Sequence, residues 1–312
     1  MQATETQLNK IMKQPRFVQD IQKYGFVRWF FFRARGDAPF KRILIHLALI
    51  MFVAIAVYPG LRIVAVSLRP GNRLLTTDLS LIPEGASFDN YRAVFVGQNA
   101  NFLLWVYNSL IITISTSIIG VSLAATSAYA FSRYRFPGKL PGLIFLLTTQ
   151  MIPAGMLIIP LYILAVQFGL RDQWLGLVMA YSVGSIPFSI WILKGYYDTI
   201  PVELEQSAMI DGATAVQSFT KIILPLSTPA LAIAFLFNFT QVWNDFLLAR
   251  VIIHRDAMYT WTLGLQRMQG QFTTQWGQFS AASLMISIPV IALFVGSSKY
   301  MLSGLTLGGV KG

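Results

Sequence analysis

Four polar side chains crowd into one short stretch of an otherwise apolar sequence: Asn238, Gln241, Asn244 and Asp245. Three- and four-residue spacing puts Asn238, Gln241 and Asp245 on one face of a helix, with Thr240 and Asn244 beside it. Amides, a hydroxyl and a carboxylate on one stripe can exchange hydrogen bonds with a polar molecule passing beside them. Asp245 is the one acidic residue that falls inside a long apolar run, where an ionisable group marks a functional candidate. The same side chains could instead pair with neighbouring helices, or Asp245 could reach the outer interface. Gln150 is a weaker candidate of the same kind. A second polar constellation runs through Glu203, Leu204, Glu205, Gln206, Ala208, Asp211, Gly212 and Ala213, an acidic island between apolar runs. Covalent chemistry has no candidates here. There is no cysteine, the two histidines (His46, His254) are far apart in sequence, and neither a nucleophile with its base nor a metal cluster is evident. No phosphate-binding G-x-x-x-x-G-K-[ST] loop occurs, so ATP has no site of that kind in this chain.

These constellations must be held by membrane helices. Of 312 residues 55% are apolar and 12% charged, whereas soluble domains carry about 25% charged residues. Six runs reach the roughly 20 apolar residues that a bilayer crossing needs: 43–68, 105–131, 140–168, 174–193, 229–253 and 281–302, with Pro153, Pro160 and Pro187 inside spans. The net charge of +11 follows membrane sidedness and not a nucleic-acid surface. Nine Lys/Arg precede residue 43. With Arg133, Arg135, Lys139, Lys194, Lys221, Lys299 and Lys311, 16 of the 24 basic residues lie on one side. By the positive-inside rule that side is cytoplasmic, and it holds both termini and the acidic island.

Residues 1–42 mix aromatic and basic side chains, which suits either a segment in the anionic cytoplasmic interface or a basic tail that sets orientation; the charge pattern is not that of a signal peptide. The outer segment 69–102 reads as a loop with little core. In the second outer segment, 254–280, Trp261, Phe272, Trp276 and Phe279 are either interfacial anchors or a partner surface. The Ser and Thr residues of the second span read as packing residues that let helices approach closely.

Local chemistry sets the shape of the island. Pro201 suits a first helical turn, Glu203 and Glu205 complement the positive helix end, and Gly212 can take the left-handed conformation that stops the helix. Thr214 with Gln217 predicts a capping box that opens a second helix, which Leu224-Pro225 ends. On physics alone this is either a well-capped connecting loop or a short lever held between two spans.

The island resembles the cytoplasmic loop of permease subunits of binding-protein-dependent ATP-binding-cassette importers, the MetI-like permeases, and within them the maltose-type subfamily. That loop reads approximately Pro-x-Glu-Leu-Glu-Glu-Ala-Ala-x-x-Asp-Gly-Ala, then Leu-Pro-Leu-x-x-Pro. Pro201, Glu203, Leu204, Glu205, Ala208, Asp211, Gly212, Ala213, Leu224, Pro225, Leu226 and Pro229 meet it. Gln206-Ser207 stands where Glu-Ala is usual, which removes one charge while Glu205 and Asp211 stay available. The similarity continues through Ile159-Pro160-Leu161-Tyr162, Gly169-Leu170, Pro187-Phe188, Trp243-Asn244-Asp245, Trp276-Gly277-x-Phe279 and the glycine-rich ending 304–312.

The resemblance implies an all-α polytopic protein of six transmembrane helices, with residues 203–213 as a coupling helix seated in a groove of a separate ATPase. It implies as partners two ATPase subunits, a second permease (usually a different chain) and an extracytoplasmic sugar-binding protein. ATP and Mg would be bound by the ATPase, with no cofactor in this chain, and the cargo would be maltose, a maltodextrin or a relative such as trehalose. A self-contained secondary transporter is the alternative from another class. It would be expected to carry internal repeats and ionisable groups at the membrane centre, and it would leave the island without a task. A membrane-embedded enzyme would need the catalytic constellation that is missing.

Overall fold

The computed structural model describes residues 25, 30, 38–71, 80–96, 101–269 and 274–308, the last eight as backbone only. The expectation for residues 1–42 therefore lies almost wholly outside the described residues, as do Phe272 and the end of the glycine-rich ending. The described residues are helical, with no strand among them. Two compact units are defined, residues 1–63 and 64–312. The boundary falls within α1 (Pro39–Leu68), a 30-residue helix. Its first-unit part presents Leu44, Leu47, Ile50, Phe52 and Ile55 outward, which suits a hydrocarbon surrounding.

The second unit contains α2 (Asp89–Ala93), α3 (Phe102–Arg133), α4 (Lys139–Gln150), α5 (Ala154–Gln167) and α6 (Trp174–Tyr197), then α7 (Glu203–Ile210), α8 (Ala215–Ser218), α9 (Thr228–Trp243), α10 (Leu247–Ile252), α11 (Trp261–Arg267) and α12 (Trp276–Gly308). Four helices (α1, α3, α6 and α12) are each long and apolar enough to cross a membrane, and two bent pairs bring the number to six if each is one span. The expected third span is one such pair: α4 and α5 meet at 100° across residues 151–153. Pro153 therefore sits at a break and not inside a helix, because it caps α5 with an extended ψ of 128°. Pro160 and Pro187 do lie inside helices. The expected fifth span ends at Trp243 and not at residue 253; a turn at 244–246 and the short α10 follow.

Helix α3 is the centre of the bundle, packed against α6 and α9, while α9 also packs on α12. Small residues permit this. A Cβ on Gly120 would lie 3.0 Å from Ser185 Oγ, and Ala124, Ala128, Ala230 and Ala234 are buried in one cluster with Ile190, Leu193 and Tyr197. Close backbone approach through small side chains replaces the hydrophobic drive that lipid cannot supply. Thr116 and Ser117 turn their hydroxyls to the carbonyls of Ile112 and Thr113 on their own helix, so they are buried without needing partners elsewhere.

The two segments expected to lie outside, 69–102 and 254–280, carry more core than their composition suggests. Val94, just past α2, is fully buried with Phe102 and Trp105, and Asn90 donates to the carbonyls of Ser67 and Arg69. Trp261 and Phe279 pack against the cluster of Trp105, Phe239 and Trp243, so these two serve the interior.

Candidate functional site

The acidic island folds by local rules. Helix α7 ends where Gly212 adopts φ +87°, and the Ala213 N–H reaches back to the Ala208 carbonyl at 2.9 Å, the closure of a left-handed helix cap. The capping box is present: Gln217 N–H donates to Thr214 Oγ1 at 3.2 Å, and Thr214 N–H donates to Gln217 Oε1 at 2.8 Å. One local expectation shifts and one is refined. Pro201 lies just before α7 and not in its first turn. Leu224-Pro225 does end the second helix, but by way of a π-helical turn, Phe219–Ile223, with the helix stopping at Leu226 and the break at Ser227 before α9. Widening the turn ahead of Pro225 accommodates a residue that has no N–H to give and whose ring crowds the preceding turn.

Periodicity sorts the island's side chains. Glu203, Leu204, Gln206, Asp211 and Gly212 are exposed, with Ala208 and Ala213 half-buried. Met209, Ile210 (86% exposed) and Val216 add an apolar surface to the outward face. Glu205 is the exception, the one buried residue of α7, at 3% exposure. Its carboxylate accepts from Tyr129 Oη at 2.7 Å and pairs with Arg133 Nε. Arg133 Nη2 also donates to the Ile200 carbonyl at 3.0 Å. The expectation that Glu205 stays available to an outside cation is thus corrected. One helical turn carries it to the inner face, where α3 satisfies it. Beside this network Ser132 and Lys194 both bond Asp198, at 2.6 and 2.5 Å. Burial pushes that carboxyl up, but these hydrogen bonds and the nearby positive charges outweigh it and hold it below the usual carboxylate range.

The polar face of α9 does not stay together. Asn238 is fully buried and exchanges hydrogen bonds with Ser189 of α6 (Nδ2 to Oγ 2.9 Å); it joins helices and faces no open space. Asp245 is half-buried. Its Oδ1 accepts from Tyr181 Oη at 2.8 Å and from the N–H groups of Leu248 and Ala249 at 3.1 and 3.3 Å, so it opens α10. It also lines a small cavity of about 120 Å³ with Tyr181, Gly184, Gln241 and the apolar side chains of α5. Gln241 and Asn244 are exposed and line an open concavity of about 420 Å³ with Thr240, Gln150, Phe188 and Phe237. Phe188 and Phe237 meet edge to face, 5.6 Å between centroids. Neither phenylalanine stood out as a site residue in the sequence, since an apolar ring in a membrane span looks like one more packing residue.

A residue that gave no sequence signal ties the α5–α6 turn to the segment after α10. Asp172 adopts φ +55°, and its Oδ1 accepts from His254 and Arg255 N–H at 2.6 and 2.9 Å. Burial raises its carboxyl, yet those two backbone donors more than offset this, and its pKa lies below the ordinary value. Among the described residues no group of His, Cys, Asp and Glu could hold a metal ion.

A helical bundle with bent spans, a capped polar helix pair between α6 and α9 and a polar concavity beside α9 defines a membrane permease subunit. Residues 116–302 match the family model described as binding-protein-dependent transport system inner membrane component, and the chain belongs to that family, the multi-pass inner-membrane permeases of ATP-binding-cassette importers. The galactooligosaccharides transport system permease protein GanQ of Bacillus subtilis (strain 168) is 39% identical over 279 residues, covering 87% of this chain and 96% of that protein. The maltose/maltodextrin transport system permease protein MalG of Escherichia coli (strain K12) is 37% identical over 284 residues, covering 86% and 95%. Among solved structures, a chain of a bacterial ABC transporter involved in import of the acidic polysaccharide alginate superposes with a TM-score of 0.75 at 24% identity, covering 86% of this chain and 99% of that one. That likeness concerns the fold.

Proposed function

We propose that this permease carries a neutral oligosaccharide, with maltose, maltodextrins and trehalose-like disaccharides as the first candidates. The observation that carries the reading is the concavity in which Gln150, Gln241 and Asn244 stand beside Phe188 and Phe237. Amides suit sugar hydroxyls, and aromatic carbon suits the apolar faces of pyranose rings. The printed names of GanQ and MalG support an oligosaccharide cargo. Asp245 borders the path through Gln241, while Asn238 supports α9 from behind.

The chain itself catalyses nothing in this reading. Two ATPase subunits bind ATP and Mg, and one receives the outward face of residues 203–213. A second permease, a different chain, supplies the other wall, and an extracytoplasmic sugar-binding protein delivers cargo. Both termini lie in the cytoplasm. ATP binding changes the relative populations of outward- and inward-open states.

Proteoliposomes holding the assembled complex test this, with labelled maltose, maltotriose, trehalose and a galacto-oligosaccharide offered alongside the binding protein. Uptake of an α-glucoside that stops without internal ATP is expected. Uptake of none of the four, or uptake that persists without ATP, overturns the reading.

A further inference from the structure

We propose that Glu205, Tyr129 and Arg133 form a clamp that binds the coupling helix α7 to α3, making α3 the strut that carries ATPase motion across the membrane. The island is joined covalently only to α6 and α9. Helix α3 lies more than 70 residues earlier in the chain and can follow the island only through contacts. Those contacts are concentrated at its last two turns. Glu205, buried on the inner side of α7, takes the Tyr129 hydroxyl and the Arg133 guanidinium, and Arg133 also holds the Ile200 carbonyl ahead of α7. The Tyr129 ring lies 4.7 Å from that of Phe219, in the second leg of the island. Both legs are therefore fastened to one helix end. A charge-assisted pair shielded from water keeps its geometry, because leaving either partner unpaired is costly.

The far end of α3 is fastened too. Asn108 Nδ2 donates to the carbonyls of Ala257 and Tyr259, both at 2.9 Å, and Ser109 Oγ accepts from Trp261 N–H at 2.8 Å. Gly264 packs so closely on Trp105 that a Cβ there would lie 2.0 Å from the ring. At 1.5 Å per residue, the helix between these two attachments is roughly 30 Å long, the thickness of the hydrocarbon core. A displacement of α7 thus reaches the outer segment through one continuous helix with fixed ends. Tyr129 and Arg133 are positioning residues in this account. They act on the cargo through α7 and α3.

The proposal rests on α7 being the ATPase-docking element. The native chain has no cysteine, so spin labels can be placed through Thr126→Cys on α3 and Val202→Cys at the head of α7, both outside the clamp and outside residues 203–213, in a complex whose partners lack reactive cysteines. The distance between them is measured without nucleotide and with ATP trapped by vanadate. The expected result is one narrow distance in both states, which broadens when Glu205→Gln and Tyr129→Phe are added. Sugar moved per ATP hydrolysed should fall about tenfold in that double variant, the scale set by losing a charge-assisted bond, while the ATPase still co-purifies; Arg133→Lys, which keeps the charge, should lose less. A label distance that changes with nucleotide in the otherwise native complex overturns the strut, as does a double variant with unaltered sugar per ATP. Loss of ATPase co-purification in the double variant would make these residues docking elements and also overturn the proposal. A native chain that captures no ATPase would sink the docking reading and the strut with it.

Discussion

The chain has two polar regions set in apolar surroundings, and they fold by different logic. The island at 203–217 is shaped by neighbours in sequence: a left-handed Gly212, a capping box at Thr214 and Gln217, and a helix that turns polar and apolar side chains outward together. The polar face of α9 is shaped by partners distant in sequence. Ser189 takes Asn238, Tyr181 takes Asp245, and only Gln241 and Asn244 are left facing open space. The contrast teaches that spacing along a helix says which residues share a side, while other helices decide which of them are free to bind.

Substitutions can break that contrast at either end. The largest effect is expected from Gly212→Val. A β-branched residue at φ +87° costs on the order of 1–3 kcal/mol, enough to reorient α7, and ATP-driven uptake should fall at least about tenfold while the protein still inserts in membranes. Normal uptake would mean the island is not a mechanical part. Next comes Asn238→Ala, which removes the buried hydrogen bond between α9 and Ser189 of α6, whose hydroxyl keeps its bond to the Ser185 carbonyl. It should lower stability by about 0.5–1.5 kcal/mol without changing which sugar is preferred; an altered preference would return Asn238 to the pathway.

Smaller and opposite in kind is Gln241→Ala with Asn244→Ala. Exposed amides support no core, so melting should be unchanged while half-saturation for sugar rises a few-fold, the loss of one or two hydrogen bonds of roughly 0.5–1.5 kcal/mol. Unchanged uptake kinetics would move the path elsewhere. The smallest effect concerns Asp172. Its folded pKa is depressed, so its contribution is present above the unfolded value near 3.9 and is lost as pH falls through the lower folded value. Acid melting curves should show native protein losing stability below about pH 4 in excess of an Asp172→Asn variant. Parallel curves would mean that the bonds from Asp172 to the His254 and Arg255 backbone add nothing to stability.

Much of this architecture is legible in the sequence because membrane helices advertise themselves by length and apolarity, and because helix caps are local. The turn after Trp243 and the core role of Val94 are not, since each depends on packing with other helices; at residues 151–153 the sequence offers only one more in-span proline, and the 100° bend shows in the structure alone. Glu205 shows the limit most clearly. Its neighbours suggest a surface helix with free carboxylates, and its burial follows from Tyr129 and Arg133, more than 70 residues earlier. Gln150, Phe188 and Phe237 converge on one concavity from three helices, and no spacing rule connects them.

Coupling to ATP depends above all on the outward face of α7 meeting an ATPase. A photoreactive cross-linker placed through Ile210→Cys, on the side chain left 86% exposed, tests that contact in the assembled, transporting complex. The predicted result is a covalent adduct between this chain and the ATPase subunit, absent when the label sits at Phe188→Cys. An active complex in which Ile210→Cys never captures the ATPase would contradict the account.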